Sequence, residues 1–415
     1  MELKNMYIRV RLAWWHNDCM TQSILEQAQS MLPELQSLRR KLHQIPEFGL
    51  ELPNTLKVIL DEISPLGEIT LGKSITSAVL HIKGDLPGPT VLLRADMDAL
   101  AVIEDTGVPY ASTNGFMHAC GHDLHMAMGV GAAKILASRK SELKGEVIIF
   151  FQPGEEGHHG ADVMIEEQAL MVSGSKPIRA YGLHVFSSYP VGMMGSRSGP
   201  LMASAGDLLV TVTGSGGHGS MPWLSKDPIS VLNEIMSSLQ TMVTKRFSAF
   251  DPVIVNIGWV RAGDTATTNV IPETASFGAT VRVFSEENAT KLKQYTQELV
   301  DSIATGFGLS ATVEFTRATK VLMNDPQAIS SVEKVTSELF GTSRYINLPT
   351  PIAGGEDFAS IVSEIPGAFV FMGACPPGTD HTTAATNHSN KAVFDDSVLG
   401  DGAALLASLA VDALS

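Results

Sequence analysis

The sequence predicts an α/β fold in which a larger domain with a mostly parallel sheet is interrupted by a smaller ferredoxin-like domain. Near-continuous apolar runs indicate strands buried on both faces, as in parallel sheets covered by helices. There are four such runs, at 90–95, 146–151, 179–185 and 368–374. Between the third and fourth runs, the pattern becomes strand, helix, strand, strand, helix, strand, which is the order of the ferredoxin-like unit.

The first elements of the larger domain are helical. Apolar residues at helical spacing predict a helix over 22–44, interrupted by Pro33 and ending in a basic turn. Cations at the C-terminal end of a helix are favourable because they oppose its dipole. A second helix is predicted over 123–138, between the first two apolar runs. The first 20 residues join no later pattern, and we interpret them as a loose extension, with Met20 as a candidate natural start.

The inserted domain follows from the middle of the chain. Its predicted elements are, in order, a strand at 207–214, a helix at 228–247, strands at 253–260 and 275–284, a helix at 286–307 and a strand at 310–316. We therefore place the inserted domain at 200–318. The larger domain then comprises 21–199 and 319–415.

Composition excludes several classes of function. The chain has 415 residues and a formal net charge of −15, and this charge argues against nucleic acid as a partner. The cysteine count is low and odd, which disfavours a disulfide framework and favours a reducing compartment; the cysteines are Cys19, Cys120 and Cys375. No apolar run has the roughly 18 residues that a membrane span needs, and no signal peptide is evident. We expect a cytoplasmic protein with no membrane partner.

Potential metal ligands follow the predicted strands. Asp96 and Asp98 come after the first apolar run, Glu155 and Glu156 after the second, and His184 near the end of the third. In open α/β sheets, sites form at the carboxyl ends of the strands, so these side chains are expected to converge. Two further candidates lie elsewhere, in the Cys120-x-His122 turn and at His388 beyond the last strand.

The Cys120-x-His122 turn has two interpretations. Thiolate and imidazole are good Zn²⁺ ligands, so both side chains could bind one ion. Alternatively, the cysteine is simply buried beside a helix start, where Asp123 is well placed as an N-cap. The neighbouring His118 and His125 are as well explained by structural roles as by ligation, and we leave them out of the predicted ligand set.

The paired carboxylates and the strand histidine also have alternatives. Glu155 and Glu156 would repel each other after a buried strand unless a cation neutralises one of them or one holds a proton. The competing interpretation is a solvated acidic turn. His184 lies inside an apolar strand, and such a residue by itself is more often a histidine of the core than a ligand.

At these residues the sequence resembles the bacterial hippurate hydrolase and plant auxin-conjugate amidohydrolase family, within the aminoacylase and carboxypeptidase G-like superfamily. The matching stretches run in order from about residue 35 to the C-terminus. They are LRADMDAL (93–100), MHACGHDLHMAM (117–128), FFQPGEEGHHGADVMI (150–165), YGLHVFSSYPVG (181–192), GSGGHGSMP (214–222), TNVIPETASFGATVRVF (268–284), GGEDFA (354–359) and NHS (387–389). The resemblance implies a two-metal hydrolase domain carrying an inserted lid domain.

The resemblance also implies roles for individual residues. The implied metal ligands are Cys120, His122, Glu156, His184 and His388. Glu155 corresponds to the general base, and Asp98 to an acidic residue that orients a ligand histidine. On the lid, His218 corresponds to the residue that polarises the substrate carbonyl, and Asn269 and Arg282 to substrate-binding groups.

The implied activity is hydrolysis of an amide bond in an N-acyl amino acid, with two divalent ions per subunit. Zn²⁺ and Mn²⁺ are the first candidates, and Co²⁺ and Ni²⁺ also suit the ligands. A homodimer through the lid domain is implied, in which His218 could serve the partner's site. The nearest alternatives are a dipeptidase, aminopeptidase or carboxypeptidase on the same scaffold. A catalytically idle scaffold would lack the base or a ligand, and a nucleotide-binding protein would need a lysine that the GSGGHGS stretch does not have.

Overall fold

A computed structural model describes residues 22–316 and 319–415. The predicted extension at 1–20 lies outside the described residues. The helices, in chain order, are α1 (22–30), α2 (Leu32–His43), α3 (Pro53–Ile63), α4 (His122–Ser138), α5 (Gly160–Glu166), α6 (Pro228–Arg246), α7 (Glu286–Gly306), α8 (Pro326–Phe340), α9 (Phe358–Glu364) and α10 (Val398–Ala413). Within these ranges, no helix is both long and apolar enough to cross a membrane.

The strands alternate with these helices along the chain. They are β1 (Glu68–Leu71), β2 (Ala78–Lys83), β3 (Leu86–Asp96), β4 (Lys144–Gln152), β5 (Arg179–Phe186), β6 (Met194–Ser196), β7 (Gly199–Met202), β8 (Ser204–Thr213), β9 (Gly217–His218), β10 (Val253–Ala262), β11 (Val270–Ile271), β12 (Thr274–Val283), β13 (Ser310–Thr316), β14 (Leu322–Asn324), β15 (Tyr345–Asn347) and β16 (Gly367–Gly373).

The described residues form two compact units. The larger unit contains the chain up to Gly199, together with Met323–Pro349 and Ser360–Ser415. The smaller unit contains Pro200–Leu322 and Thr350–Ala359.

The larger unit is built on an eight-stranded sheet in the order β1-β2-β4-β3-β5-β16-β6-β15. Its centre is parallel: β3 pairs with β4 and β5, and β5 pairs with β16, all in parallel. These four strands are the four predicted apolar runs, and every residue of β16 is buried. The prediction of a mostly parallel sheet covered on both faces is confirmed, and antiparallel strands lie towards its edges.

Helices α4 and α10 pack against each other in the core of this unit. Both are apolar and buried around most of their circumference, as expected of helices surrounded by other elements. A Cβ atom at Gly131 of α4 would lie 2.7 Å from the Cβ of Ala403 in α10. Glycine is therefore required for this close approach.

The predicted helix over 22–44 is observed as two helices, α1 and α2. They are separated at Met31, and Pro33 lies in the first turn of α2. Proline is tolerated there because a first-turn N–H has no partner within the helix. The predicted basic end is present, with Arg40, Lys41 and His43 in the last turn of α2.

The smaller unit contains an antiparallel four-stranded sheet in the order β10-β12-β8-β13. With α6 between β8 and β10, and α7 between β12 and β13, the chain order is the predicted βαββαβ. Both helices pack on this sheet over an apolar core that includes Phe277, Val210 and Leu239.

Candidate metal centre

Side chains from four separate segments of the larger unit meet at the carboxyl ends of β4 and β5. The Sγ atom of Cys120 lies 3.3 Å from Nε2 of His184 and 3.2 Å from Nε2 of His388. The same His388 nitrogen is 3.1 Å from Oε1 of Glu156. His122 belongs to the same assembly, because its potential ligand atom lies within 4.8 Å of those of Cys120 and His184. The structure thus brings the five predicted ligands together.

The turn before α4 positions Cys120 and His122. Gly121 between them has φ of +84°, a left-handed conformation that favours glycine. A Cβ atom there would also lie 2.4 Å from a methyl carbon of Val185, at the end of β5. Glycine therefore lets this turn approach the strand that carries His184.

Two histidines each direct one ring nitrogen into the cluster. The Nδ1 atom of His122 donates to the main-chain oxygen of Asp98 at 2.8 Å, and Nδ1 of His184 donates to that of Val185 at 2.9 Å. In the neutral form of each ring, Nε2 therefore carries the free lone pair. The buried Nε2 of His122 makes no hydrogen bond with any described residue. An unsatisfied buried acceptor is costly, so this nitrogen fits a metal ligand.

The remaining groups give the cluster a negative character. Hydrogen bonds to Cys120 and Glu156 raise the pKa of His388 to about 10. The proton on His388 is thus stabilised by the sulfur of Cys120 and the carboxylate of Glu156. A divalent cation in the same place would be stabilised by the same two groups. Sulfur, imidazole nitrogen and carboxylate oxygen together fit Zn²⁺ and related divalent transition metals.

Asp98 fixes the turn that carries the paired glutamates. Its two carboxylate oxygens accept the main-chain N–H groups of Glu155 at 3.0 Å and Glu156 at 2.9 Å. The main-chain oxygen of Asp98, rather than its carboxylate, accepts the hydrogen bond from His122; the nearest carboxylate oxygen is 3.6 Å from Nδ1. Asp98 therefore contacts three neighbouring predicted site residues.

Glu155 lies beside the predicted ligand His122. Its Oε2 atom is 4.0 Å from Nε2 of His122, and its side chain is 10% exposed. Adjacent side chains on this turn diverge, so that Glu156 contacts His388 while Glu155 faces His122. This geometry suits a carboxylate that acts on a reactant next to the cluster.

Asp96 and His125 form a buried pair behind the cluster. His125 accepts the main-chain N–H of Val185 through Nε2 at 2.9 Å, so its proton is on Nδ1. That Nδ1–H donates to Asp96 at 2.6 Å, and Arg94 also binds the Asp96 carboxylate. With both ring nitrogens engaged, His125 has a structural role. His118 is fully buried, and burial lowers its pKa to about 3, so it is neutral.

Asp123 binds side chains of α2 instead of acting as the N-cap that the sequence predicts. It lies in the first turn of α4, and its Oδ2 is 2.8 Å from Nε of Arg39 and 2.7 Å from Nδ1 of His43. Arg39 also binds Asp396 at 3.2 Å. The basic end of α2 indicated that acidic partners were needed, but Asp123 and Asp396 lie 80 or more residues away in the sequence.

In the smaller unit, His218 and Asn269 lie together. β9 pairs with β11, placing His218 opposite Val270, and the N–H of Gly219 donates to the main-chain oxygen of Asn269 at 2.7 Å. The N–H of Ser220 donates to Nδ1 of His218 at 3.1 Å. In the neutral ring the proton is therefore on Nε2, which makes Nε2–H a hydrogen-bond donor.

Arg282 lies near the other end of β12. Its Nε donates to the oxygen of Ala353 at 2.8 Å, and its Nη1 contacts the Thr280 hydroxyl and the Val281 carbonyl, each at 2.7 Å. These bonds fix the plane of the guanidinium. The structure does not bring Arg282 next to His218 and Asn269 within the smaller unit. His218 pairs with Val270 in a separate two-stranded sheet, which precedes the Thr274 end of β12, whereas Arg282 lies next to Val283 at the opposite end of β12.

In a comparison with protein families, residues 92–412 match the model of peptidase family M20/M25/M40. Among curated proteins, thermostable carboxypeptidase 1 of Saccharolobus solfataricus is 36% identical over 90% of this chain and 94% of its own length. N-acetylcysteine deacetylase of Bacillus subtilis is 36% identical over 81% and 87%. IAA-amino acid hydrolase ILR1-like 2 of Arabidopsis thaliana is 36% identical over 91% and 84%.

Solved structures agree with this match. A crystal structure from methicillin-resistant Staphylococcus aureus superposes with a TM-score of 0.88 and 30% identity, covering 95% of this chain and 100% of its own. The YXEP protein of Bacillus subtilis, a dinuclear metal-binding peptidase, superposes with a TM-score of 0.79 and 31% identity, covering 93% and 99%.

Proposed function

The chain belongs to peptidase family M20/M25/M40, and we propose that it is a metal-dependent amidohydrolase acting on N-acyl amino acids. It would release a carboxylic acid and a free amino acid. The observation that carries this proposal is the convergence of one thiol, three imidazoles and a carboxylate beside a further carboxylate, Glu155. Two relatives support the substrate class, because they are named for N-acetylcysteine and for IAA-amino acids.

The metal centre of this proposal uses the five clustered residues as ligands, which are Cys120, His122, Glu156, His184 and His388. We propose two divalent ions per subunit, Zn²⁺ or Mn²⁺ in the first place, with Co²⁺ and Ni²⁺ as alternatives. Divalent ions in such a site supply Lewis acidity, which polarises a carbonyl and acidifies water. The unpaired Nε2 of His122 supports this assignment.

Glu155 is the proposed general base. It takes a proton from the attacking water and then delivers it to the nitrogen of the departing amino acid, so that the C–N bond breaks as a neutral amine forms. Asp98 holds the main-chain amide of Glu155 and thereby limits the movement of the base. The catalytic groups are thus positioned by the fold before substrate arrives.

The smaller unit supplies the remaining proposed contacts. His218 donates its Nε2–H to the oxygen that becomes negative in the transition state, a role that the hydrogen bond from Ser220 favours. Arg282 binds the substrate carboxylate, for which its planar guanidinium is suited. Asn269 lies beside His218 and contributes a further polar contact.

We propose that 21–199 and 319–415, without the segment Thr350–Ala359 that groups with the smaller unit, form the catalytic domain and that 200–318 form a lid through which two copies dimerise. Arg282 lies eight residues after Thr274 on β12, a span of roughly 27 Å at about 3.4 Å per residue. Because His218 lies beyond the Thr274 end, one copy of the lid does not present both side chains to one small substrate. His218 would therefore serve the partner's site.

The edge of the lid sheet is suited to such a contact. Within the described residues β10 pairs with β12 alone, and it exposes apolar side chains along its length: Ile254 (41%), Trp259 (44%) and Val260 (51%). An open apolar edge strand readily pairs with a second copy. Sedimentation equilibrium should give the mass of a dimer, and Val260→Lys should shift it towards the monomer.

A cytoplasmic location is part of this proposal. Cys120 and Cys375 are both free, and Cys120 must stay reduced to act as a ligand, which suits a reducing compartment.

The alternative is a carboxypeptidase or dipeptidase on the same scaffold, which the Saccharolobus carboxypeptidase favours. The test is hydrolysis of N-acyl amino acids and dipeptides by chelator-stripped protein, with and without added Mn²⁺ or Zn²⁺. We expect that adding metal restores the release of a free amino acid from N-acyl substrates. Cleavage of dipeptides alone would establish the alternative, and no cleavage of either class would refute both.

A further inference from the structure

The side chain of Asn387 joins three segments of the cluster. Its Nδ2 donates to the main-chain oxygen of Val185 at 2.9 Å and lies 3.3 Å from that of Cys120. Its Oδ1 accepts the N–H of Ser187 at 3.0 Å, with the Ser187 hydroxyl at 3.1 Å. One amide therefore connects the turn before α4, the end of β5 and the loop that carries His388.

These contacts reach the ligand atoms themselves. The Val185 oxygen that accepts from Asn387 also accepts Nδ1–H of His184, the bond that leaves Nε2 of that ring facing Cys120 at 3.3 Å. Nδ2 of Asn387 is also 3.8 Å from the sulfur of Cys120, within reach of an N–H···S hydrogen bond. Asn387 therefore contacts both the main chain and the sulfur of Cys120.

The loop itself needs an anchor at this point. His388 has φ of +69°, in the left-handed region that side chains other than glycine rarely adopt. Its N–H donates to the oxygen of Ala119 at 2.9 Å. The main chain of His388 and the side chain of Asn387 thus attach to consecutive residues, Ala119 and Cys120, and together they set the direction of the His388 ring.

We propose that Asn387 is a positioning residue of the metal centre, which holds Cys120, His184 and His388 in the arrangement that binds the ion. This role rests on the proposed metal centre. It is distinct from ligation, because the amide nitrogen has no free lone pair and the amide oxygen is occupied by Ser187.

Two substitutions separate the donor from the acceptor role. Asn387→Asp has nearly the same shape and keeps the acceptor for Ser187, but it removes both N–H donors and places a carboxylate next to two carbonyls and a sulfur. Asn387→Ala removes all contacts without adding charge. Asn390→Asp is the matched control, because it makes the same chemical change on an exposed residue three positions further along the loop.

The measurement is the dissociation constant for Co²⁺, obtained by competition with a chromophoric chelator, together with the thiolate-to-Co²⁺ charge-transfer absorption. Losing a residue that orients ligands typically weakens metal binding by roughly 10- to 100-fold. We expect that loss for Asn387→Ala, a loss at least as large for Asn387→Asp, and a weakened or shifted absorption band in both. The Asn390→Asp control should match the wild type. Melting of the metal-free proteins establishes that each variant is folded.

Equal affinity and an unchanged band in folded Asn387→Ala, relative to the control, would overturn the positioning role. If Asn387→Asp fails to fold, Asn387→Ala alone decides. A wild-type protein that binds no Co²⁺ would instead refute the proposed metal centre, and the role of Asn387 with it. The two failures are thereby distinguishable.

Discussion

At the scale of single residues, main-chain groups determine what four histidines of this protein can do. Main-chain carbonyls accept from Nδ1 of His122 and His184, which leaves Nε2 of both rings towards the cluster. A main-chain N–H donates to His125 instead and removes its Nε2 from the cluster. In His218, a main-chain N–H at Nδ1 makes Nε2–H the donor. Residue type alone does not distinguish these cases, because each depends on which main-chain group the fold presents.

Glu155→Gln tests the proposed base. Glutamine has nearly the same shape but cannot accept a proton, so we expect hydrolysis to fall by at least about 10²-fold, the lower range for general base catalysis. Metal content, measured by plasma emission spectrometry, should be unchanged because Glu155 is outside the proposed ligand set. Glu156→Gln is the matched comparison and should lower metal content as well. Turnover by Glu155→Gln at the wild-type rate would refute the assignment.

His218→Ala tests the proposed oxyanion donor. Removing one such donor typically lowers kcat by about 10²- to 10³-fold, and we expect this range with little change in KM. Steady-state kinetics on an N-acyl amino acid separate the two constants. His158→Ala, on the larger unit, serves as a control for loss of an imidazole. A rise in KM at unchanged kcat would show that His218 only binds the ground state of the substrate.

At the scale of elements, the end of α2 is attached to the start of α4 by buried charges. Arg39 and His43 of α2 both contact Asp123, the residue after the proposed ligand His122. Removing one partner of a buried ionic network leaves the other charge uncompensated, which is strongly destabilising. The position of the first turn of α4 therefore depends on a helix that contributes no proposed ligand.

His43 should make the free energy of unfolding depend on pH. Burial would lower its pKa, but the carboxylates of Asp123 and Glu104 outweigh burial, and the repulsion from Arg39, so the pKa is raised above its usual 6.5. Protonated His43 thus stabilises the folded state fully below about pH 6.5, and this contribution is lost as pH rises through the raised pKa.

The measurement compares urea unfolding of wild-type protein and His43→Gln between pH 5.5 and 9. The excess stability of the wild type should shrink with rising pH, by about 1.4 kcal/mol for each unit of the pKa shift. His381→Gln, which makes the same substitution at an exposed histidine, is the control for the substitution itself. A constant difference for His43→Gln would contradict the raised pKa.

The strands of this protein were more predictable than its site. Buried parallel strands such as β4 and β16 contain continuous apolar runs that stand out in the sequence, and the alternating strands of the smaller unit do so by their period. Short strands such as β6 carry too few residues for any period, and none was predicted there. The four apolar runs of the sequence therefore predicted where the central strands end, and the proposed ligands cluster at these carboxyl ends.

Whether a site residue could be predicted depended on how close its partners lie in the sequence. Glu155 and Glu156 could be predicted as a pair because both follow one strand. Asn387 was visible beside His388 but had no assignable role, since its partners Cys120 and Val185 lie more than 200 residues away. Contacts of that kind depend on tertiary packing, which residue spacing does not encode.

At the scale of the whole molecule, the separation of His218 and Arg282 in the smaller unit would make the number of chains part of the proposed mechanism. Ladder pairing puts His218 beyond the Thr274 end of β12 and Arg282 close to the other end. A symmetric dimer brings each end of one sheet towards a different copy, so each proposed active site would draw on both chains. Activity should then depend on protein concentration below the dissociation constant of the dimer.

Mixing two inactive variants tests this arrangement directly. In a heterodimer of Glu155→Gln and His218→Ala chains, one site combines the intact Glu155 of one chain with the intact His218 of the other. Random pairing makes half of the dimers mixed, each with one working site, so about a quarter of wild-type activity should return. If His218 instead serves its own chain, no site in the mixture is complete and nothing returns. Mixing wild type with the double variant Glu155→Gln/His218→Ala gives the opposite ranking. If His218 acts in the partner's site, about a quarter of full activity is expected; if it acts in the site of its own chain, about half is expected.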